Sequence, residues 1–262
     1  MFKKGIVGTF VLTVLATLAF KNSWDSYGSS IVVQSEAEET LYDPFVVLEL
    51  FTSQGCSSCP AADILLQKVK HENPDRVFTL SYHIDYWNYI GWNDPFSKAE
   101  HTLRQSDYNR KLGYHGNYTP EIVVNGKEHF VGSDVSKMNW VLETFRNEKT
   151  TNAITITDVR TKDGRISYCY EVKGPFENKK VRAVIVLDQR ITEVKRGENR
   201  NRRVTNSNIV VHERLSQLAR PVGTAFIKLP RIVQKNEKIF LVVLVENEEK
   251  DITAAAQIDL KI

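Results

Sequence analysis

Cysteine is scarce, with Cys56, Cys59 and Cys169 the only three in 262 residues. So few exclude a small scaffold stapled by disulfides, and they leave one close pair with one residue over. A net charge of +3 is too small to mark a nucleic-acid binder, so no nucleic-acid partner is expected. No second C-x-x-C and no spaced histidine pair completes a four-ligand zinc site. No internal repeat appears, which excludes a solenoid. The apolar run Ile6 to Phe20 is shorter than the about 20 residues that a membrane helix needs. What is present, 42% hydrophobic and 26% charged residues, describes a globular chain long enough for one large domain or two ordinary ones.

The N-terminal run follows Lys3 and Lys4 and ends near the small residues Thr17 and Ala19, the pattern of a secretory signal peptide. Residues 1–20 are therefore read as a signal peptide or, uncleaved, as an anchor. No cysteine follows the run, which argues against a lipid-anchored form. Residues 21–43, with Glu36, Glu38 and Glu39, read as a polar linker. The body of the protein is expected to be exported, periplasmic or secreted, and to meet a membrane only through an uncleaved N-terminus. In that setting thiols tend to be oxidised, so Cys56 and Cys59 are expected to rest as a disulfide.

Two textures divide the remainder. From 44 to 150, "FVVLELFT" and "VFTLSYHI" are apolar runs suited to strands buried on both faces. Pro60 to His71 lies between them with helical spacing, so the two strands should pair in parallel across a crossover helix. A polar helical stretch from Ser97 to Leu112 follows. "YTPEIVVNGKEHFVG" then gives a hairpin turning at Asn125-Gly126, and a helix capped by Ser133 or Asp134 closes the segment. From 151 to 262 short strand-like runs alternate with turns, and only residues 207–219 suit a helix. The expected fold class is α/β plus all-β: a thioredoxin-like domain over 44–150 and a small antiparallel β-sandwich over 151–262.

Cys56 and Cys59 sit where the first strand meets the first helix. Residues three apart on a helix share a face, so the two sulfurs can meet. Unpaired N–H groups at a helix start favour a thiolate there. Pro60 suits the first helical turn because it has no N–H to lose. Three readings stay open: a redox pair, a structural staple, and a copper site made by Cys56, Cys59, His83 and His115. Pro120, directly before a strand, stands where thioredoxin-like folds carry a cis proline. In those folds the backbone of the preceding residue, here Thr119, pairs with an incoming peptide.

"VVLELFTSQGCSSCPAAD", "YHIDYWNYIGWNDPFS", "YTPEIVVNG" and "VKRGENRNR" together resemble the exported thioredoxin-like proteins grouped as domain-of-unknown-function family 1223. The similarity spans nearly all of the chain after the linker. It implies a bacterial, exported protein in which Cys56 attacks, Cys59 resolves and Pro120 takes the cis-proline position. It implies no defined substrate. Ser57-Ser58 replaces the glycine-proline dipeptide of ordinary thioredoxins, which leaves the direction of electron flow open.

Lesser features complete the reading. Trp87 belongs to a dense aromatic segment, Tyr86 to Phe96, which suits either a peptide-binding wall or ordinary packing. Asp85 is a candidate proton acceptor for Cys59, against the plainer role of capping a turn. Lys195 to Arg203 is a basic loop with three readings: solvated, bound to an acidic partner, or folded over the cysteines. Cys169 is expected to be a buried, inert thiol. No cofactor beyond a redox-active Cys56–Cys59 disulfide is expected, and the expected partners are protein or peptide thiols and disulfides of the cell envelope.

Overall fold

Val46–Thr52 (β1) is buried along its whole length, as an apolar run without alternation requires. In the computed structural model, which describes residues 40–261, this strand lies inside the main sheet. The expected signal or anchor of residues 1–20, and the linker up to residue 39, lie outside the described residues. Cys59–Glu72 (α1) crosses over to Val77–His83 (β2), which pairs with β1 in parallel. Ala99–Lys111 (α2) forms the insertion. Glu121–Val124 (β3) and Glu128–Val131 (β4) then form an antiparallel hairpin. Asn125 and Gly126 at its tip both adopt positive φ, which a tight hairpin turn demands. Val135–Phe145 (α3) closes the segment, with the Asp134 carboxylate accepting the Lys137 N–H at 2.9 Å.

The strand order in this half is β4-β3-β1-β2, with β3 antiparallel to β1. Val46, Leu48 and Leu50 point to one face, where Ala62, Leu66, Met138, Val141 and Phe145 of α1 and α3 cover them. Val47 and Phe51 point to the other, toward Tyr82 and Tyr108.

Beyond residue 150 the chain is all strand: Ala153–Lys162 (β5), Arg165–Lys173 (β6), Lys180–Glu193 (β7), Arg203–Gln217 (β8), Val222–Lys228 (β9), Ile239–Glu246 (β10) and Ile252–Leu260 (β11). These strands do not form a sandwich of their own. Four continue the first sheet, giving eight strands in the order β11-β10-β7-β8-β2-β1-β3-β4, while β5, β6 and β9 form a separate three-stranded sheet. The expectation of an independent β-sandwich is corrected: one layer of the sandwich is the far half of the shared sheet. Ile154, Ile166, Tyr168 and Ile227 of the small sheet pack onto Ile185, Val211, Leu241 and Val243 of the large one. The described residues, 40–261, accordingly fall in one compact unit. The joint is β8, whose Ile209 registers with Ser81 of β2 in parallel. The helix expected at residues 207–219 is part of this strand. Ile209, Val210 and Val211 are β-branched and all buried, and pairing on both edges outweighs their fit to a helical period.

A buried ionic cluster ties the two halves together. Glu49 of β1 accepts from Arg104 of α2 at 2.9 Å and from Arg182 of β7 at 2.7 Å, and both arginines also pair with Glu246 of β10. Burial would raise the Glu49 pKa, yet the two guanidinium groups hold it near 2.

Candidate functional site

β1 ends at Thr52, and the next six residues, 53–58, lead the chain into α1. Cys56 and Cys59 form a disulfide with their Cα atoms 5.5 Å apart. α1 begins at Cys59, with Ser58 at its N-cap and Pro60 in its first turn. Cys56 therefore precedes the helix rather than sharing a helical face with Cys59, and its N–H donates to the Ser53 carbonyl at 3.2 Å. Ser57 and Ser58 are exposed. The sulfur-bearing residues are not: Cys56 is 1% exposed and Cys59 0%.

A distant part of the chain is bound to this turn. The loop joining β7 to β8, residues 194–202, reaches back over the cysteine turn. Glu198 accepts the Ser57 N–H at 2.9 Å. The Asn199 carboxamide, fully buried, donates to the carbonyls of Gln54 and Cys56 at 3.0 and 2.8 Å. A Cβ on Gly197 would stand 2.7 Å from Ile90, so the loop also presses on the aromatic segment. Of the three readings of the basic loop, the structure realises the one in which it folds over the cysteines. The groups that do the binding, however, are its acid and its amide.

Beneath the pair lies a buried polar network. Asp63 stands four residues after Cys59 on α1, hence on the same helix face. Its carboxylate accepts from Thr52 at 3.1 Å and from Asn206 of β8 at 3.3 Å. Burial pushes Asp63 up to about 6, against the opposing pull of His83. His83, at the end of β2, lies 2.6 Å through Nδ1 from Asp94. Burial lowers the His83 pKa, but the charge and hydrogen bond of Asp94 together with the charge of Asp63 outweigh it, and the net direction is upward. Gln54 is fully engaged: its N–H donates to Asp94, its side-chain amide to Thr192 and Asn206, and its Oε1 accepts from Trp92.

The register of β1 with β3 pairs Phe51 with Glu121, which sets Pro120 beside Thr52. The Thr119–Pro120 bond is cis. Trp87 connects this strand to the cysteine turn, donating its indole N–H to Thr119 Oγ1 at 2.8 Å while its Cβ borders Gly55. Cys56, Cys59, Trp87, Thr119 and Pro120 are thus brought together. Asp85 is not joined to them; its carboxylate accepts from Thr102 of α2 at 2.6 Å. His115 is exposed, on the loop after α2, where it lines a cavity of about 660 Å³ with Tyr86 and Arg110. Among the described residues no group of three or more His, Cys, Asp or Glu is placed to hold a metal ion, so the copper alternative finds no assembled ligand set. Cys169 is half-buried on β6, 3.4 Å from Thr224 Oγ1, rather than sealed in the core.

Next to Pro120, Glu121 is buried among Gln105, Asn109 and His129. Burial raises its carboxyl to about 7, against the hydrogen bonds of Gln105 and Asn109. Sequence reasoning passed over Asp63, Asp94, Glu121 and Asn199. The one available signal was the i, i+4 spacing of Cys59 and Asp63.

Fold and site define a class: a β-rich protein with a mixed sheet and an oxidised C-x-x-C closing the turn from strand to helix. Within it, the chain belongs to the family described as protein of unknown function DUF1223, whose model matches residues 47–246. A crystal structure of a protein from Agrobacterium tumefaciens is similar, with 27% identity and a TM-score of 0.63; it covers 84% of this chain and 96% of its own. A DUF3823 family protein from Bacteroides ovatus aligns at 12% identity over 41% of this chain and 52% of its own, with a TM-score of 0.26, and carries no argument. No protein with a curated description matches. Among the described residues no helix is long and apolar enough to cross a membrane.

Proposed function

We propose that the first half of the chain is thioredoxin-like and that the protein, exported to the cell envelope, exchanges disulfides with protein or peptide partners through Cys56 and Cys59. The observation that carries this reading is the disulfide closing the β1–α1 turn in a sheet half ordered β4-β3-β1-β2. Thr119 and Pro120 lie alongside that turn and offer an edge for a partner segment.

In the exchange a partner thiolate attacks Cys56 Sγ. The Cys56–Cys59 bond breaks, Cys59 leaves with the electron pair, and a mixed disulfide links Cys56 to the partner. A second thiolate of the partner then attacks its own sulfur in that bond and releases Cys56. Two electrons and two protons have passed from the partner dithiol to the pair; the reverse sequence reduces a partner disulfide. Asp63, one turn below Cys59, exchanges the proton of the resolving thiol.

A Cys59→Ser variant leaves Cys56 free to hold a partner, so mixed disulfides should accumulate on non-reducing gels. The reduction potential of the pair, measured against a glutathione buffer, should fall between about −270 and −120 mV. A second reading, a permanent structural bond, is favoured by the 1% and 0% exposure of the cysteines. A potential below about −300 mV together with an empty trap would establish that reading instead.

A further inference from the structure

The exchange just described needs a line of approach to Cys56 Sγ, and the closed arrangement leaves that residue 1% exposed. We infer that residues 194–202 are a latch over the disulfide, held shut by Glu198 and Asn199, which must lift before any thiol reaches Cys56. The loop has no strand pairing of its own but is internally preformed. Val194 N–H donates to Arg202 O at 2.9 Å, and Asn201 N–H to Val194 O at 2.8 Å. It is thus built to move as a piece. Its hydrogen bonds to the cysteine turn lie at its tip: Ser57 N–H to Glu198, and Asn199 to the carbonyls of Gln54 and Cys56. The Glu198 carboxylate is exposed, and the Ser57 hydroxyl and N–H hold its pKa below the usual range. A bond at such a surface exchanges readily with water. The hairpin stems are anchored separately, by Gln54 to Thr192 and Asn206, so the tip can open while β7 and β8 stay in the sheet.

The purpose of the latch rests on the exchange reading; its existence does not. The test is the pseudo-first-order rate at which dithiothreitol reduces the disulfide in the full-length oxidised protein, read by mass as two alkylated thiols beyond the free Cys169. Asn199→Ala should be reduced about tenfold faster than the parent, equivalent to ~1.4 kcal/mol of latch closure. Glu198→Gln, at an exposed position that the fold does not need, should give a smaller rise of about threefold. Rates within a factor of two of the parent for both variants overturn the latch. The same two variants are then placed in a Cys59→Ser background. Faster reduction with an empty trap keeps the latch and discards exchange. A trap that fills equally with and without the Asn199→Ala change, at unchanged reduction rates, keeps exchange and discards the latch.

Discussion

Replacing Asp63 with asparagine should make the folded protein more stable at neutral pH and less able to turn over. An aspartate ordinarily titrates near 3.8, and burial raises Asp63 to about 6. The folded state therefore binds more protons than the unfolded chain between those values, and stability falls as pH rises through that window. About two pH units at 1.36 kcal/mol each amount to ~3 kcal/mol lost by pH 7, because the charged carboxylate is held in a site that favours the neutral form. The asparagine side chain would keep an acceptor for Asn206 and carry no charge. Urea unfolding of the oxidised protein at pH 4, 5, 6, 7 and 8 should show the variant gaining on the parent between pH 4 and 6, then leading by ~2–3 kcal/mol. On the proposed exchange, in which Asp63 takes the proton of the resolving thiol, the variant should slow most above pH 6. Parallel stability profiles, or a variant weaker at pH 7, would refute the burial argument. An unchanged exchange rate would remove Asp63 from the proton path.

Other expectations are more local. Arg182→Met strips the guanidinium that pairs Glu49 with Glu246; with both carboxylates left buried, urea unfolding should register a loss of about 3 kcal/mol. Gly126→Ala forces a positive-φ residue at +72° and drives a Cβ to 2.2 Å from the Lys250 carbonyl; a loss above about 2 kcal/mol is expected, and a neutral result would contradict the hairpin geometry. Glu121→Gln should flatten the fall in stability between pH 4.5 and 7 that follows from a buried carboxyl raised to about 7. Equal pH profiles for the parent and this variant would show that the carboxyl titrates normally.

The parts of the fold that were legible in the sequence are those decided within about fifteen residues. The apolar β1, the helical period of α1, the Asn125-Gly126 turn and the Asp134 cap each carry their cause locally. Residues 207–219 were not legible, because Ile209, Val210, Leu215 and Leu218 fit a helical spacing as well as a strand. The pairing partner on one edge, Ser81 of β2, is far away in sequence, and pairing with β7 on the other edge is a choice that helical spacing does not reveal. The sandwich was inferred from turn spacing, which says nothing about which sheet a strand joins. At the site, the cysteine pair and the Trp87–Thr119–Pro120 group stood out by residue type. Asp63 did not, since its partner Asn206 is 143 residues away. The basic loop drew attention through its arginines, whereas contact with the cysteine turn is made by Glu198 and Asn199.

Because β8 lies directly against β2, and β2 against β1, the hairpin whose loop binds the cysteine turn and the strand that leads into that turn belong to one sheet. No flexible tether sets the alignment of loop and disulfide; interstrand register does. Excising the C-terminal half would bare the outer edge of β2 as well as uncap the sulfurs. A truncated fragment would then tend to self-associate before its chemistry could be assayed.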